Sequence, residues 1–440
     1  MTEVDMGAYY VVTMSSIERV DAALAAISEH NARTNAFISV DADGARAQAL
    51  AADEETSRGM NRGPLHGVPV SIKDLVDIAG QVTTGGSLVL AENVATSDAP
   101  IITRLREAGA VLIGKTNLHE FALGTTCEDS GFGPVRHPLD PTRSPGGSSG
   151  GSAVSVVTGM SDLSVGSDTG GSIRIPSSVC GLVGLKPSVD DVPTTGVVPL
   201  STTFDVVGPL ARTVAEAAAL WRILANRPDD QVAAPSAVSL KFAVLDGYFL
   251  SPLDPTVRAA FTAAVESLKA AGVTIETRSI DGTSDILDTY VKVVLAEAAT
   301  WHATYLDERG DRYRPNVRAR LMVGRDIPAT AYIKARQNCV AYRAQVDALL
   351  NHFDALILPT LPITAPVLGV DDVELDGQRV PVRAAMLRNT QLFNMTGHPA
   401  ISLPMRMPAG AFPAGFQMVG RINQTASLLA IAGTCEKIVG

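Results

Sequence analysis

Apolar and polar positions repeat along this chain with two different periods, and each period predicts one kind of element. A helical period begins at Ser15, which forms an S-x-x-E capping box with Glu18, and it predicts a helix over residues 15–27. An alternating period in residues 65–74 predicts a strand that ends at Lys73. A lysine at a strand end is usually a solvated charge, but apolar neighbours on both sides favour partial burial here.

The pattern predicts alternating helices and strands over the rest of the chain. Asp98 is predicted to cap a helix that has Pro100 near its start and Gly109 at its end. Other predicted helices cover residues 45–55, 117–123, 152–157, 254–272, 284–350 and 425–436. Predicted strands and short apolar runs cover residues 111–113, 163–166, 182–185, 240–245, 273–280, 355–358, 400–403 and 416–419. This order of elements favours an α/β fold with a mostly parallel or mixed sheet.

Composition indicates a globular protein. The chain has 440 residues, of which 46% are hydrophobic and 19% charged, so it can bury a sizeable core. Its net charge of −10 argues against a broad nucleic-acid-binding surface, and no nucleic-acid partner is expected.

Residues 1–10 contain Glu3 and Asp5 and lack the basic and apolar regions of a signal peptide. No apolar run approaches the roughly 20 residues that span a bilayer, so a cytoplasmic location without membrane contact is predicted.

Neither disulfides nor metal chemistry is indicated. The four cysteines lie far apart in sequence and form no C-x-x-C pair, which argues against a disulfide scaffold and against a thiolate metal site. The seven histidines show no H-E-x-x-H pattern. We therefore expect no metal and no cofactor.

Two glycine- and serine-rich clusters carry the strongest candidate chemistry. Residues 144–152 read S-P-G-G-S-S-G-G-S, and residues 166–176 read G-S-D-T-G-G-S-I-R-I-P. Two consecutive glycines before Ser172 permit a turn whose N–H groups converge on one anion, so this serine would lie beside an oxyanion hole. Such stretches are more often flexible linkers, but both of these run into apolar or small-residue segments, which favours a structured site.

Two other motif matches compete with this interpretation. Gly109–Thr116 fits G-x-x-x-x-G-K-[ST], but its middle positions are themselves a predicted strand, which argues against a phosphate-binding loop. Ser148 and Ser149 each lie in a G-x-S-x-G match, yet residues 140–145 hold two prolines and two charges and cannot form the buried strand of a nucleophile elbow. No later histidine has a persuasive setting as a base, so Ser172 has the better context.

Ser172 needs a base, because a free hydroxyl is a weak nucleophile at neutral pH. A buried lysine can fill this role, since burial favours its neutral form. A second serine can pass the proton between them by donating one hydrogen bond while accepting another.

These segments together resemble the amidase signature family of serine hydrolases. The resemblance rests on V-S-I-K-D at Val70–Asp74, I-G-K-T-N at Ile113–Asn117, P-G-G-S-S-G-G-S at Pro145–Ser152 and G-S-D-T-G-G-S-I-R-I-P at Gly166–Pro176. Weaker similarity at Phe353–Thr360 and Gly397–Pro404 extends it over nearly the whole chain. It implies a single α/β domain, residues 1–440, with a central twisted mixed sheet covered by helices on both faces. Its expected parts are a motif core at 60–215, a variable, substrate-shaping segment at 230–350, and late strands with a closing helix at 353–440.

The resemblance also implies catalytic roles. In the family's Ser–cis-Ser–Lys triad, Ser172 becomes the nucleophile, Ser148 the bridging serine that follows a cis peptide, and Lys73 the base. Ser149 is expected to steady Lys73.

Further roles follow from the same resemblance. The oxyanion hole is expected to consist of the backbone N–H groups of Thr169, Gly170, Gly171 and Ser172. Asp168 and Arg174 are expected to form a supporting structural pair. Thr125 and Thr126 are weaker candidates for the substrate pocket.

The leading functional hypothesis is a serine hydrolase that cleaves the C–N bond of a carboxamide or an aryl acylamide through an acyl-enzyme. Carbamates and esters present the same carbonyl geometry, so urethanase and esterase activities are within reach. The expected partner is a small-molecule amide or carbamate, and the expected state is a monomer or homodimer.

The alternative is the A subunit of a glutamyl/aspartyl-tRNA amidotransferase. That protein resembles residues 116–152 strongly, uses the same triad, releases ammonia from glutamine and works with a tRNA-binding partner. A stand-alone amidase is favoured because residues 336–338 align only loosely and residues 421–424 lack the acidic residue expected there. A scaffold that had lost catalysis would lack Lys73, Ser148 or Ser172, and all three are present.

Overall fold

A computed structural model describes residues 14–228, 230 and 232–440. The expectation about a signal peptide rests on residues 1–10 and lies outside the described residues. Among the residues described, no helix is both long enough and apolar enough to cross a membrane.

The centre of the protein is one large mixed sheet. The strands of the described residues are β1 (Phe37–Val40), β2 (Pro69–Lys73), β3 (Val111–Thr116), β4 (Leu163–Asp168), β5 (Val183–Lys186), β6 (Val206–Ala211), β7 (Lys241–Leu245), β8 (Thr274–Arg278), β9 (Ala355–Pro359), β10 (Asp372–Leu375), β11 (Gln378–Pro381), β12 (Ala400–Pro404) and β13 (Gly415–Val419). Eleven of them form the sheet in the order β1-β3-β2-β4-β6-β5-β12-β13-β9-β7-β8, and β10 and β11 form a separate hairpin. Strands β2, β3 and β4 run parallel, as do β9, β7 and β8, whereas the remaining neighbours are antiparallel.

The helices connect these strands. In the described part of the chain they are α1 (Ser16–Thr34), α2 (Ala42–Ser57), α3 (Pro100–Glu107), α4 (Gly150–Val157), α5 (Arg174–Cys180), α6 (Val214–Leu224), α7 (Pro255–Ala270), α8 (Ile286–Trp301), α9 (Ala303–Arg309), α10 (Pro315–Arg325), α11 (Ala329–Leu350), α12 (Val382–Leu387), α13 (Gln391–Met395) and α14 (Thr425–Val439). The helix predicted from residue 15 has Ser15 as its N-cap, and the expected capping box with Glu18 is present.

Helices cover both faces of the sheet. Leu356 and Leu358 of β9 pack into one apolar cluster with residues of α4, α5 and α8 to α13, whereas Ala355 and Ile357 pack into a second cluster with α3, α6, α7 and α14. A third cluster joins α1 and α2 to β3. The alternation follows from the pleat, which sends successive side chains to opposite faces. The predicted α/β class and two-sided helix cover are confirmed, while the segment boundaries inside the domain stay predictions.

The helix predicted at Asp98 begins at Pro100, with Ala99 as an N-cap that makes no side-chain bond. The Asp98 carboxylate instead accepts a hydrogen bond from Ala79 N (2.7 Å) and from Arg106 Nε (3.0 Å). The prediction that Asp98 caps the helix is wrong, because these contacts occupy its side chain.

Residues 117–123 lack the predicted α-helix. Their regular part is the 3₁₀ turn Glu120–Ala122, inside which Phe121 has a left-handed φ of 50°. The N–H of Phe121 donates to Gly85 O over 2.7 Å, a tertiary bond that replaces the helical one. Local propensity is overridden here because the backbone bonds to a distant segment.

Candidate active site

Lys73 ends β2, where β3 and β4 flank it on both sides, and its side chain is completely buried. Its Nζ donates hydrogen bonds to Ser148 Oγ (2.7 Å) and Ser167 Oγ (2.8 Å). Burial disfavours the ammonium form and lowers the pKa of Lys73 from 10.5 to about 7. At neutral pH much of Lys73 is therefore an uncharged amine that can accept a proton.

Ser148 lies in the turn that leads into α4. The Gly147–Ser148 peptide bond is cis, as the resemblance implies. The carbonyl oxygen of Ser148 accepts hydrogen bonds from the His119 N–H (3.2 Å) and the Cys127 thiol (3.1 Å). The backbone of Ser148 is thus held from two sides, while its hydroxyl faces Lys73.

The turn between β4 and α5 carries Ser172. Gly171 has a φ of 136°, and a Cβ there would come within 2.4 Å of Thr390 Oγ1. A Cβ on Gly170 would come within 2.2 Å of the Tyr290 hydroxyl oxygen. Both positions require glycine, because neighbouring side chains pack directly against the turn and leave no room for a Cβ.

The predicted oxyanion-hole residues lie along this turn. No acceptor within the described residues takes a hydrogen bond from the backbone N–H groups of Thr169, Gly170, Gly171 or Ser172. Four donors on one turn, none of them used by the described protein, can hold the oxygen of a bound carbonyl.

Ser172 adjoins the Lys73–Ser148 pair through the backbone. The N–H of Ser149 donates to the carbonyl oxygen of Ser172 over 3.2 Å, which joins the two serine-bearing turns. The Ser172 side chain is nearly buried, with 5% of its surface exposed, and its hydroxyl has no hydrogen-bond partner in residues 14–228, 230 and 232–440. The structure therefore joins Lys73 to Ser148 by a direct hydrogen bond and places Ser172 next to this pair by a backbone bond, and the described residues show no hydrogen bond between the Ser148 and Ser172 hydroxyls.

Ser149 is linked to Lys73 through Ser167 and makes no hydrogen bond of its own to the lysine in the described part of the chain. Its hydroxyl donates to the carbonyl oxygen of Ser167 (3.1 Å), and it is the hydroxyl of Ser167 that accepts from Lys73. Ser149 thus holds the residue that contacts the lysine, and the expectation that it steadies Lys73 stays a prediction. Ser167 lies inside the motif G-S-D-T-G-G-S, so its position in the motif was a signal that sequence reasoning did not use.

Asp168 and Arg174 form the expected pair, and both side chains are fully buried. Arg174 Nη2 lies 2.9 Å from Asp168 Oδ1, and Arg174 Nε lies 3.0 Å from the other carboxylate oxygen. Burial alone would raise the pKa of Asp168, but the charge and hydrogen bonds of Arg174 dominate and lower it to about 2. The guanidinium also donates to Gln417 Oε1 (2.7 Å) and Asn394 Oδ1 (2.7 Å). The pair thus ties the Ser172 turn to late elements of the chain.

Thr125 and Thr126 lie next to the Ser148 turn. A Cβ on Gly147 would come within 3.0 Å of the carbonyl carbon of Thr125, and Ser144 Oγ donates to Thr126 O over 2.7 Å. Both are backbone contacts, so a role of these two side chains in a substrate pocket stays a prediction.

The competing motif interpretations have little support in the structure. Residues 111–116 form β3, and the described chain continues from it without a helix, unlike a phosphate-binding loop. Residues 140–145 form no strand before the G-x-S-x-G matches. His398, the latest histidine, is a buried residue that bonds Thr396 Oγ1 (3.0 Å) and Asp347 Oδ1 (2.9 Å), not a serine of the site.

Comparisons with known proteins agree on the family and the fold of this chain. A family model described as Amidase matches residues 18–429. The A subunit of the glutamyl-tRNA(Gln) amidotransferase of Roseiflexus sp. (strain RS-1) is 34% identical over 97% of this chain and 93% of that protein. A crystal structure described as amidase matches with a TM-score of 0.91 and 38% identity, covering 97% of both chains.

A second crystal structure, of the A subunit of the glutamyl-tRNA(Gln) amidotransferase from Thermotoga maritima, has a TM-score of 0.78 and 31% identity, and the match covers 96% of this chain and 92% of that one. A family model that spans most of the chain and relatives above 30% identity lead to the same assignment. The chain belongs to the amidase signature family of enzymes that act on C–N bonds.

Proposed function

We propose that this protein hydrolyses an amide bond by transferring the acyl group to Ser172. The observation that carries the proposal is the 2.7 Å hydrogen bond from Lys73 Nζ to Ser148 Oγ, made by a fully buried amine. A pKa of about 7 lets Lys73 act as a general base near neutral pH.

In the proposed reaction, neutral Lys73 takes the hydroxyl proton of Ser148 while Ser148 takes that of Ser172. The Ser172 oxygen then attacks the substrate carbonyl carbon, and the oxyanion accepts hydrogen bonds from the turn N–H groups. Ser148 protonates the leaving nitrogen as the C–N bond breaks, and Lys73 returns its proton to Ser148. Water, activated along the same path, cleaves the acyl-enzyme and regenerates Ser172. The proposed substrates are carboxamides and aryl acylamides, with carbamates and esters open to the same attack.

A second candidate function is ammonia release from glutamine as the A subunit of a tRNA-dependent amidotransferase. Full-length similarity to curated A subunits favours it, and it implies a protein partner. The TM-score to the structure described as amidase is 0.91, against 0.78 for the Thermotoga maritima protein, which supports keeping amide hydrolysis as the first candidate.

The test of the acyl-enzyme is active-site labelling. Purified protein is incubated with a fluorophosphonate, and intact mass and peptide mapping are expected to place one adduct on Ser172. Ser172→Ala is expected to abolish labelling and turnover, whereas the control Ser239→Ala, at an exposed serine, is expected to change neither. Labelling of another residue, or turnover by Ser172→Ala, would overturn the proposal.

The two candidate functions separate in a substrate panel. Protein alone is offered glutamine, aryl acylamides, short fatty amides, esters and carbamates. Hydrolysis of amides other than glutamine by the isolated chain supports the stand-alone amidase. Glutaminase activity that appears only with amidotransferase partner subunits supports the second candidate.

A further inference from the structure

Two arginines from different helices converge on one backbone oxygen beside the active site. Arg320 of α10 donates through Nη1 to the carbonyl oxygen of Leu123 (3.3 Å), and Arg383 of α12 donates through Nη1 to the same oxygen (3.2 Å). Both side chains are half-buried. Two positive charges are therefore held close together in a partly desolvated place.

Neither guanidinium has an anionic partner of its own. Within the described residues, no carboxylate oxygen lies within 4.0 Å of Arg320 or Arg383. Asp129 is close enough to Arg320 to act on its pKa, but its carboxylate already accepts from Asn316 Nδ2 (3.1 Å) and lies 3.7 Å from His119 Nε2. The two arginines thus form a cationic pair that makes no direct ion pair within the described residues, and Asp129 acts on Arg320 only from a greater distance.

Most of the donor capacity of this pair is unused. A guanidinium has five N–H donors, and the bond to Leu123 is the single hydrogen bond that each makes to the described protein. An arginine needed merely to satisfy one carbonyl could be replaced by a smaller neutral donor. Two planar guanidinium groups with unused N–H donors instead match the planar, two-oxygen geometry of a carboxylate.

The pair adjoins the catalytic residues. A Cβ on Gly124, the residue after Leu123, would lie 2.1 Å from the ring of His119, whose N–H bonds Ser148 O. Burial lowers the pKa of His119 to about 3, and the charges of Arg320 and Lys73 both add to this effect. Arg320 and Lys73 are therefore both close enough to His119 for their charges to act on it.

We propose that Arg320 and Arg383 bind a carboxylate of the substrate, so that the proposed amidase acts on amides that carry a negative charge. The inference rests on the proposed function and deepens it by naming the substrate class. The carboxylate takes the free N–H groups of both guanidiniums, while the substrate carbonyl lies at the Ser172 turn.

The test compares matched amides. Ammonia release is measured with malonamate, succinamate, glutaramate and adipamate, and with the neutral amides in which a methyl group replaces the carboxylate. N-acetylated amino acids place the carboxylate on the leaving side instead, and their hydrolysis is followed by release of the free amino acid. At the best chain length, kcat/KM is expected to be at least about 10-fold higher for the charged amide, as a charge-assisted hydrogen bond implies. Equal values in every matched pair would overturn the inference.

Variants separate substrate binding from a structural role. Arg383→Gln is expected to lower kcat/KM for the preferred charged amide by about 10- to 100-fold, mainly through KM, and to erase the preference for charge. Arg383→Lys is expected to restore part of that preference, because lysine keeps the positive charge but lacks the planar set of N–H donors of the guanidinium. The control Arg379→Gln, on β11 and 83% exposed, is expected to behave as wild type. An unchanged preference in Arg383→Gln would overturn the inference.

A binding measurement distinguishes this inference from the proposed function. Succinate, glutarate and their diamides are titrated calorimetrically into Ser172→Ala protein, which needs no turnover. Binding heat that is seen with the dicarboxylates but not with the diamides, and that disappears when Arg383→Gln is added to the Ser172→Ala protein, supports the anion site even if no amide is hydrolysed. Equal or absent binding of both series overturns it, even if Ser172 reacts with the fluorophosphonate.

Discussion

Two strands of the sheet, β2 and β5, end in a buried lysine, and the two lysines have different neighbours. Lys73 and Lys186 are both fully buried, and burial lowers the pKa of each to about 7. Lys73 donates to two serine hydroxyls, whereas Lys186 donates to the carbonyl oxygen of Pro187 (2.9 Å). A hydroxyl can pass a proton onward and a carbonyl cannot. A buried neutral amine is thus equipped for catalysis only where a proton carrier adjoins it.

The largest expected effect comes from Lys73→Met, which keeps most of the side-chain volume but removes the base. We expect kcat/KM to fall by about 10²–10⁴-fold, the usual contribution of a general base. Steady-state kinetics on the best amide measure the loss, and circular dichroism checks the fold. Lys186→Met is the matched control and is expected to retain activity close to wild type. Equal losses in the two variants would contradict the comparison.

The next effect concerns stability in the region of Lys186, where Asp168 and Arg174 are paired. Arg174→Met leaves the buried Asp168 carboxylate without its counter-charge and is expected to lower the free energy of unfolding by about 3–5 kcal/mol. Urea denaturation measures the change. Arg379→Met breaks an exposed ion pair of 3.1 Å and is expected to have little effect. Equal stability of the Arg174 variant and wild type would argue that the pair does not hold the turn.

The pH dependence sharpens the comparison between the lysines. Because the proposed base must be unprotonated, kcat/KM is expected to rise with pH, about tenfold per unit below the pKa of Lys73, and to level off above about 7. Lys186→Met is expected to keep the same inflection. If the inflection disappears in that variant, the titrating group is Lys186 and the assignment of the base fails.

The smallest expected effect is that of Ser167→Ala. The Ser167 hydroxyl accepts from Lys73 and so stabilises the ammonium form; its removal is expected to lower the inflection by about half to one pH unit. A pH–rate profile measures the shift. Ser164→Ala, on the same strand but bonded to Ser71, is the control and is expected to leave the inflection unchanged. A shift to higher pH would contradict the proposed contact.

The candidate site residues could be predicted more fully than the residues that hold them in place. Residue chemistry indicated Ser172 and the need for a base and a proton carrier, and the resemblance to the amidase signature family implied Lys73 and Ser148 for those two roles. Spacing contained nothing about Cys127, whose thiol bonds the Ser148 carbonyl from a polar loop without regular structure. Arg320 of α10 and Arg383 of α12 could not be singled out from the sequence either, since a lone arginine in a sequence is most often a surface charge.

The fold was predictable where one face of an element is apolar. It was missed at β6, a fully buried strand between β4 and β5 that contains Gly208 and Pro209. Proline lacks the N–H of a ladder bond, so its presence argues against a central strand, yet Pro209 lies opposite Val165. The order of the strands in the sheet could not be predicted either. Strand β5 pairs with β12 from a remote part of the chain, and local sequence patterns contain no information about such long-range pairing.

Arg174 has a consequence for how the protein is made. Its partners Asn394 and Gln417 are synthesised long after the Ser172 turn has left the ribosome. A nascent chain therefore carries Ser172 in an unfinished setting until β13 emerges. Truncated products, even those with every motif residue, lack the groups that fix the turn, so a late frameshift is expected to be as damaging as the loss of the proposed nucleophile itself.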